Sequence, residues 1–359
     1  MGAEKNRVVS AILRILADAG RPLGSTRVSR ELHLLGITLQ QRMVRYYLLR
    51  MDRAGWTQNL GRSGRRLTAR GHEELRDAIA VEKVGFVSAR MDELSCKMSF
   101  DPDRGAGTII LNISRVRAED FPEAARLCQK VLEAGLGMGR RLALGPEGHE
   151  LGGRPIPFGR VALGTVCSVT LNGIFRMAGI PVASRFGGLL EFRDGKPARF
   201  TQIINYDATT IDPVEIFVRG RMTRVREAAA TGRGPIGASF REIPATALPE
   251  ARQLIKKIAR AGLGGVLAVG RPGQALLDIP VAAGRVGLVV AAGLNAMAAV
   301  EEAGIETENH AMAAVHEFAE LVPVAGISES VLTSRKLHKR LASLVEGGRG
   351  AATDYGVYE

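Results

Sequence analysis

At 359 residues the chain is too long for one compact domain and suits two or three. Its 46% apolar content supports packed cores, no apolar run reaches the ~18 residues of a membrane span, and the N-terminus lacks a signal-peptide stretch. The net charge of +12 is unevenly placed: residues 1–80 hold 15 Lys or Arg against 7 Asp or Glu, the footprint of a phosphate-binding module.

Residues 8–79 read as a winged helix-turn-helix. Apolar residues at Val8, Ile12, Ile15 and Leu16 predict a first helix from Val8 to about Ala17, stopped by Gly20-Arg21-Pro22. A second helix starts at Ser25, whose hydroxyl suits an N-cap, and turns Val28 and Leu32 inward. Gly36 breaks the chain, and Thr38 suits the cap of a third helix with the inner stripe Val44, Tyr47, Leu48 and Met51. Trp56–Leu60, a turn at Gly61-Arg62-Ser63-Gly64 and Arg65–Thr68 predict a hairpin wing, and a helix opening at Thr68 brings Leu75 inward. In this module Gln40, Gln41, Arg42, Arg45 and Tyr46 are the candidate base-edge readers, Gln suiting adenine and Arg guanine. Arg62, Arg65 and Arg66 on the wing are the candidates for phosphate or minor-groove contact. A winged helix serving only protein contacts is the competing reading; arginines on both the third helix and the wing favour duplex DNA.

Cys96, Cys128 and Cys167 are odd in number and far apart, which suits buried thiols in a reducing cytoplasm better than disulfides. The six histidines show no metal-ligand spacing, so no metal site is expected.

Beyond Ala80 the texture becomes α/β, and the chain repeats itself. Phe121-Pro122-Glu123-Ala124 leading to Ala134-Gly135-Leu136-Gly137 is echoed by Leu248-Pro249-Glu250-Ala251 leading to Ala261-Gly262-Leu263-Gly264. Gly159-Arg160-Val161 recurs as Gly284-Arg285-Val286, Leu171-Asn172 as Leu294-Asn295, and Ala178-Gly179-Ile180 as Ala303-Gly304-Ile305. The matches predict an internally duplicated mixed α/β domain, with halves at about 107–192 and 234–318. Each half reads as strand, helix, Gly-capped turn, strand, second strand and helix. Two similar lobes sharing a ligand cleft are expected, although a duplication that only enlarges a sheet fits the same pattern.

The halves differ chemically. Gly164-Thr165-Val166-Cys167-Ser168-Val169-Thr170-Leu171-Asn172 places hydroxyls and free backbone N–H groups at a helix start, an anion site in outline. The second half reads Val289-Val290-Ala291-Ala292-Gly293-Leu294-Asn295, without a hydroxyl. Arg185, before Gly187-Gly188, is placed to fork onto a carboxylate. The candidate effector set is Thr165, Cys167, Ser168, Thr170, Asn172 and Arg185, against the plainer reading of helix caps and a surface arginine. Gly135-Leu136-Gly137-Met138-Gly139 follows a helix rather than a strand, so it reads as a helix-ending turn and not a nucleotide loop. Ser168 has no histidine partner in sequence, and no catalytic constellation emerges, so no enzyme is expected. The tail over 334–359 is basic, then Gly-rich, and reads as a solvent-facing end.

Long strings carry a resemblance to a known family: Arg90-Met91-Asp92-Glu93-Leu94-Ser95, Gly164 to Gly173 as quoted, Gly179-Ile180-Pro181-Val182 and Ser184-Arg185-Phe186-Gly187-Gly188-Leu189-Leu190-Glu191. Asp212-Pro213-Val214-Glu215-Ile216-Phe217, Arg221-Met222-Thr223, Ser239-Phe240-Arg241-Glu242-Ile243-Pro244 and Ala261-Gly262-Leu263-Gly264-Gly265 add to it. Over about 84–323, with the fused N-terminal module, the chain resembles NrpR, the nitrogen-regulatory repressors of methanogenic archaea, found also in bacteria. The resemblance implies a regulatory domain that senses 2-oxoglutarate, which accumulates when nitrogen is scarce and weakens operator binding. It supplies a name for the dicarboxylate that the residues leave unnamed. Some archaeal members carry two regulatory domains in one chain, whereas a single one follows the DNA module here, so the regulated genes are less closely implied than DNA binding.

Together these readings predict a cytoplasmic homodimeric repressor, without cofactor or metal, that occupies operator half-sites about one helical turn (~34 Å) or a multiple apart. It would be released when 2-oxoglutarate reshapes the regulatory cleft. A regulator of the same build answering another small anion or a protein partner is the alternative.

Overall fold

A computed structural model of the chain describes residues 2–75 and 87–327. Two compact units divide at residue 85, each with its own core. The junction around 80–84 and the tail over 334–359 lie outside the described residues.

In the first unit, α1 (Gly2–Asp18), α2 (Ser25–Leu34) and α3 (Gln41–Arg53) precede β1 (Thr57–Asn59), β2 (Arg65–Leu67) and a helical stretch, α4, over 69–75. The apolar stripes converge as the spacing predicts: Ile12, Leu13, Val28, Leu32, Val44 and Leu48 are fully buried, with Met51 and Leu75 beside them. α1 starts six residues earlier than Val8, because Ala3 to Arg7 contain no helix breaker. The caps differ from expectation. Gly24 and Gln40 hold the extended backbone of the cap positions, so Ser25 and Gln41 are already helical and neither Ser25 nor Thr38 caps. The Ser25 hydroxyl instead accepts from Arg45 Nε at 3.3 Å. Thr68 does cap, its hydroxyl accepting from Gly71 N–H at 3.0 Å and donating to the Gly55 carbonyl at 2.6 Å. The wing gains an edge that the sequence pattern does not reveal: Leu23 exchanges two backbone bonds of 2.9 Å with Arg65.

The second unit opens with α5 (Val87–Lys97) and then repeats one order of elements twice. The first pass is β3 (Thr108–Arg117), α6 (Phe121–Glu133), β4 (Arg141–Gly145), β7 (Arg160–Val166), α7 (Val169–Met177) and β8 (Ala183–Arg193); a small hairpin, β5 (Glu150–Leu151) and β6 (Arg154–Pro155), lies within it. The second pass is β10 (Gly234–Pro244), α10 (Leu248–Arg260), β11 (Val266–Val269), β12 (Arg285–Ala291), α11 (Asn295–Glu302) and β13 (Glu308–Glu317). Between them stand β9 (Lys196–Asn205), α8 (Pro213–Arg219) and α9 (Val225–Thr231), and β14 (Val322–Pro323) follows.

The strands form two five-stranded antiparallel sheets, ordered β13-β3-β7-β4-β14 and β11-β12-β10-β8-β9. The last strand of each pass crosses over: β8 pairs with β10, and β13 pairs with β3. The two halves are therefore interleaved, not separate lobes with a cleft between them. The two Ala-Gly-Leu-Gly turns also meet. Gly135 and Gly262 end their helices at φ of 75° and 79°, where a side chain is strained. Beyond them Arg140 N–H donates to the Gly262 carbonyl at 3.0 Å, and Gly264 N–H to the Met138 carbonyl at 3.2 Å.

Backbone bonds also align the two passes. Cys167 N–H donates to the Ile110 carbonyl, and Ala292 N–H to the Gly237 carbonyl, at equivalent places where the strand runs into the helix. Thr170 hydroxyl then serves both backbone groups of Ile110, at 3.1 and 3.3 Å, while the Asn295 amide serves both of Gly237, at 2.9 and 2.8 Å. The counterpart of Asn295 is thus Thr170, two residues away from the Asn172 that the Leu-Asn echo suggests. Gly293 stands opposite Ser168, and any Cβ there would lie 2.1 Å from the Val166 carbonyl.

Two outcomes follow from this framework. Asn295→Ala strips hydrogen bonds from Gly237 and from the Leu136 carbonyl, all buried. It is expected to lower the regulatory unit's stability by about 2–4 kcal/mol, read by urea unfolding; a loss below about 0.5 kcal/mol would show that the amide is dispensable. Asp212 caps α8 by accepting from Val214 and Glu215 N–H, and burial pushes its carboxyl up from 3.8 to about 6. Between those values the native state keeps a proton that the unfolded chain has lost, so this group's contribution to stability falls as pH rises through the window. Asp212→Asn keeps an acceptor and removes the titration, so stability plotted against pH is expected to decline less steeply over that range than in the parent.

Candidate functional site

On the first unit, the face of α3 opposite its core stripe is exposed. Arg42, Arg45, Tyr46 and Arg50 lie on it, and Gln40 is exposed at its start. Tyr46 is half-exposed and carries the Arg50 guanidinium 5.9 Å from its ring centre, which stiffens both side chains. Gln41 donates to the Thr26 hydroxyl, which ties the start of α3 to α2. Arg53, exposed in the last turn of α3, belongs to the same face and was not among the expected contacts.

The wing arginines divide. Arg62 is exposed in the turn between β1 and β2. Arg66 is exposed and donates to Gln58 Oε1 at 3.2 Å across the hairpin. Arg65 is a correction: its Nε pairs with Asp52 Oδ2 at 2.8 Å, both side chains are largely covered, and Asp52 also accepts from Thr57 Oγ1 at 2.6 Å. Arg65 therefore anchors the wing to the end of α3, while Arg62 and Arg66 remain exposed.

On the second unit the six effector candidates fall into two groups. Thr165, Cys167 and Thr170 are buried in the scaffold. Thr165 Oγ1 accepts from Asn112 Nδ2 at 3.4 Å, and Asn112 Oδ1 in turn accepts from Met312 N–H at 3.1 Å. Thr170 is committed to Ile110, as described. The Cys167 thiol is pushed up to about 12, chiefly by burial, so it stays protonated and is no nucleophile.

Of the other three, Ser168 and Asn172 stand at the start of α7, whereas Arg185 lies on β8 and pairs with Glu242. Ser168 and Asn172 are one turn apart on the helix. The carbonyl and hydroxyl of Ser168 accept from Arg241 Nη1 and Nη2 at 2.7 and 2.8 Å. Asn172 Nδ2 donates to Ser184 Oγ at 3.0 Å, and Ser184 pairs with Arg241 across β8 and β10. Arg185 is the extra residue of the bulge beside that pair; half-exposed, it donates to Glu242 Oε1 at 2.8 Å. These contacts close a ring from Ser168 through Asn172, Ser184 and Arg241 back to Ser168.

Arg241 is the residue that sequence reasoning missed. It is fully buried, its Nε has no hydrogen-bond partner, and it makes no ion pair among the described residues. Burial pulls its pKa down, against a smaller upward pull from the neighbouring Tyr206 and Cys167. Asn172 Oδ1 is likewise buried without a partner. Tyr206, 3% exposed, lies close enough that its phenol feels the Arg241 charge, and burial pushes that phenol up. An alternating strand makes Arg241 look like any exposed cation; only the crossing of β8 and the start of α7 enclose it.

A separate cleft of about 1130 Å³ lies among α6, α9 and α11, with both basic and acidic side chains on its walls. None of the six effector candidates lines it. Among the described residues no group of His, Cys, Asp or Glu is placed to hold a metal ion, and no helix is long and apolar enough to cross a membrane.

Comparison with known proteins places these features. The profile of NrpR regulatory domains NRD1 and 2 matches residues 84–323, and that of the ribonuclease R winged-helix domain matches residues 10–75. The chain is similar to the global nitrogen regulator NrpRI of Methanosarcina mazei, with 33% identity over 89% of this chain and 98% of the relative. It is 28% identical to the global nitrogen regulator NrpR of Methanococcus maripaludis over 82% of this chain, but spans only 51% of that protein. A crystal structure of a nitrogen repressor-like protein from Methanococcus jannaschii aligns with a TM-score of 0.57 and 27% identity, covering 67% of this chain and 98% of that one. With a regulatory profile over 84–323 behind a winged helix, and a relative matched along nearly its whole length, the chain belongs to the NrpR family.

Proposed function

We propose that this protein is a transcriptional repressor of nitrogen-assimilation genes, binding operator DNA as a homodimer and released by 2-oxoglutarate, and that it is not an enzyme. The observation that carries the effector reading is the buried Arg241, without a counter-ion, at the N-terminal end of α7. A carboxylate there meets a guanidinium with a spare Nε–H and the positive end of a nine-residue helix. The choice of a dicarboxylate rests on the family resemblance, since Arg185, beside the Ser184–Arg241 pair, is already paired with Glu242. Ser168 and Asn172 position the ligand. Thr165, Cys167 and Thr170 hold the backbone that carries the site and drop out as contacts.

Release of DNA requires that the effector bind one conformation better than the other; a coupling of about 1–3 kcal/mol changes operator affinity roughly 5–150-fold. Names among the relatives support the nitrogen role, since the Methanosarcina and Methanococcus proteins are called global nitrogen regulators.

The effector reading is tested by calorimetry with 2-oxoglutarate on the full chain, beside a salt-controlled gel shift on nitrogen-assimilation promoters. The parent is expected to bind the ligand and to lose operator affinity in its presence. Arg241→Gln is expected to weaken ligand binding about 30-fold or more while operator binding without effector persists. Ser168→Ala, a milder change that leaves the arginine in place, is expected to cost about 3–10-fold. Normal release of DNA from both variants would remove this site from the mechanism.

The wing is tested by the salt dependence of operator binding. Arg62→Ala is expected to weaken binding to every sequence alike and to reduce the slope of log K against log salt by about 1. Arg65→Ala breaks the Asp52 pair instead, and is expected to lower winged-helix stability by about 1–3 kcal/mol in thermal unfolding. Equal changes in salt slope for both variants would put Arg65 back among the phosphate contacts.

A further inference from the structure

We propose that Leu49 of α3 reads thymine: its side chain packs on the 5-methyl group of a thymine in the major groove of the operator. This rests on the operator-binding reading above and adds a base preference that the glutamines and arginines of α3 do not supply.

α3 buries Val44, Tyr47, Leu48 and Met51. At about 3.6 residues per turn, the line opposite that stripe runs through Arg42, Tyr46, Leu49 and Arg53, all of them exposed. Leu49 is 45% exposed. Arg45 and Tyr46 stand one turn before it and Arg53 one turn after it, so an apolar side chain sits at the centre of a cationic face. Met43 is exposed as well, but lies a quarter-turn away at the margin of that face.

Charge selects duplex DNA as what covers the face. Arg42, Arg45, Arg50 and Arg53 make no ion pair among the described residues. The single carboxylate of α3, Asp52, is turned to the wing and paired with Arg65. A surface of unpaired arginines without a carboxylate matches phosphates, and the recognition helix of a helix-turn-helix lies in the major groove. The arginines have acceptors there in phosphate oxygens and in guanine. Leu49 has none. Set against a phosphate or a polar base edge, it would strip water from that group and return no hydrogen bond. The apolar group that the major groove offers is the methyl of thymine, so it is the one surface on which burial of Leu49 stabilises the complex.

The test is selection of duplexes from a random pool by the full chain, followed by gel shifts on the selected site at fixed salt. Its thymines are replaced one at a time by uracil, which lacks only the methyl group. The parent is expected to select a site with a fixed thymine at which uracil weakens binding about 3–10-fold. Leu49→Ala keeps the helix, since alanine is the better helix former. It is expected to bind the selected site about 3–10-fold more weakly and to hold thymine and uracil alike at that position. Leu49→Met retains an apolar contact and is expected to retain the uracil step. Arg62→Ala, weaker on every sequence, is expected to retain it too, which separates loss of the step from loss of affinity. A selected site at which no thymine responds to uracil, or a uracil step that persists in Leu49→Ala, overturns the assignment and leaves operator binding standing. A parent that selects no site overturns both.

Discussion

Pairing of β8 with β10 and of β13 with β3 means that each half of the regulatory unit completes the other's sheet. Separation of the halves would strip β13 from one sheet and β8 together with β9 from the other, so the unit gains its stability from the exchange rather than from either half. The meeting of the two Ala-Gly-Leu-Gly turns adds backbone bonds to the same junction. Everything placed between the crossing strands is held from two sides by different halves of the chain. Such enclosure is what a buried charge needs if it is to keep its geometry.

The candidate site exists because the two passes spend equivalent positions differently. Where the first pass has Ser168, the second has Gly293 pressed against the Val166 carbonyl. Where β10 carries Arg241, β3 carries Ser114, whose hydroxyl donates to Asn309 Oδ1 at 2.6 Å and needs nothing further. The next residues exchange sign, since Glu242 takes Arg185 in one place while Arg115 takes Glu308 in the other. One junction is thereby closed by its own side chains, with Asn295 locking Gly237, and the other retains an unpaired cation and an unpaired amide oxygen. One copy of the duplicated scaffold is thus satisfied by its own side chains, and the other supplies the proposed binding site.

How far this was legible in the sequence depends on the range of the interaction. The winged helix could be read because its core rests on i, i+3, i+4, i+7 spacing within single helices, and Val44, Tyr47, Leu48 and Met51 are buried as that spacing demands. Its caps were misplaced because Ser25 and Thr38 are good caps only when the preceding backbone allows it, and the extended turn falls at Gly24 and Gln40. Arg65 looked like its neighbours Arg62 and Arg66 until the hairpin brought it to Asp52, thirteen residues away. The repeat of elements was visible as repeated tokens, but the strand exchange was not, since β8 carries the same residues whichever half it joins. Local identity even misled: Leu171-Asn172 and Leu294-Asn295 share letters, while the backbone bonds align Asn295 with Thr170. Arg241 was hidden for the same reason, as its burial is decided by β8 and by the start of α7, both far away in the chain.

The energetic consequence of that burial bears on regulation. A guanidinium fully removed from water keeps its charge only at a cost, and here the Ser168 carbonyl and hydroxyl offset part of it with neutral acceptors. A carboxylate supplied from outside offsets far more, because it faces the cation in a setting where water does not screen the pair. The strands that bury Arg241 come from different halves, so under the proposed function a conformation that brings them tightly around a ligand would be favoured with the anion present and disfavoured without it. Differential affinity of this kind is the only means by which an effector shifts an equilibrium. A site whose cation was already paired, like that of Arg115 with Glu308, would bind a second carboxylate weakly and discriminate little between conformations. Under the proposed function, the unpaired arginine is what would let a small anion act on the fold, and its cost in the empty state would be the source of the coupling.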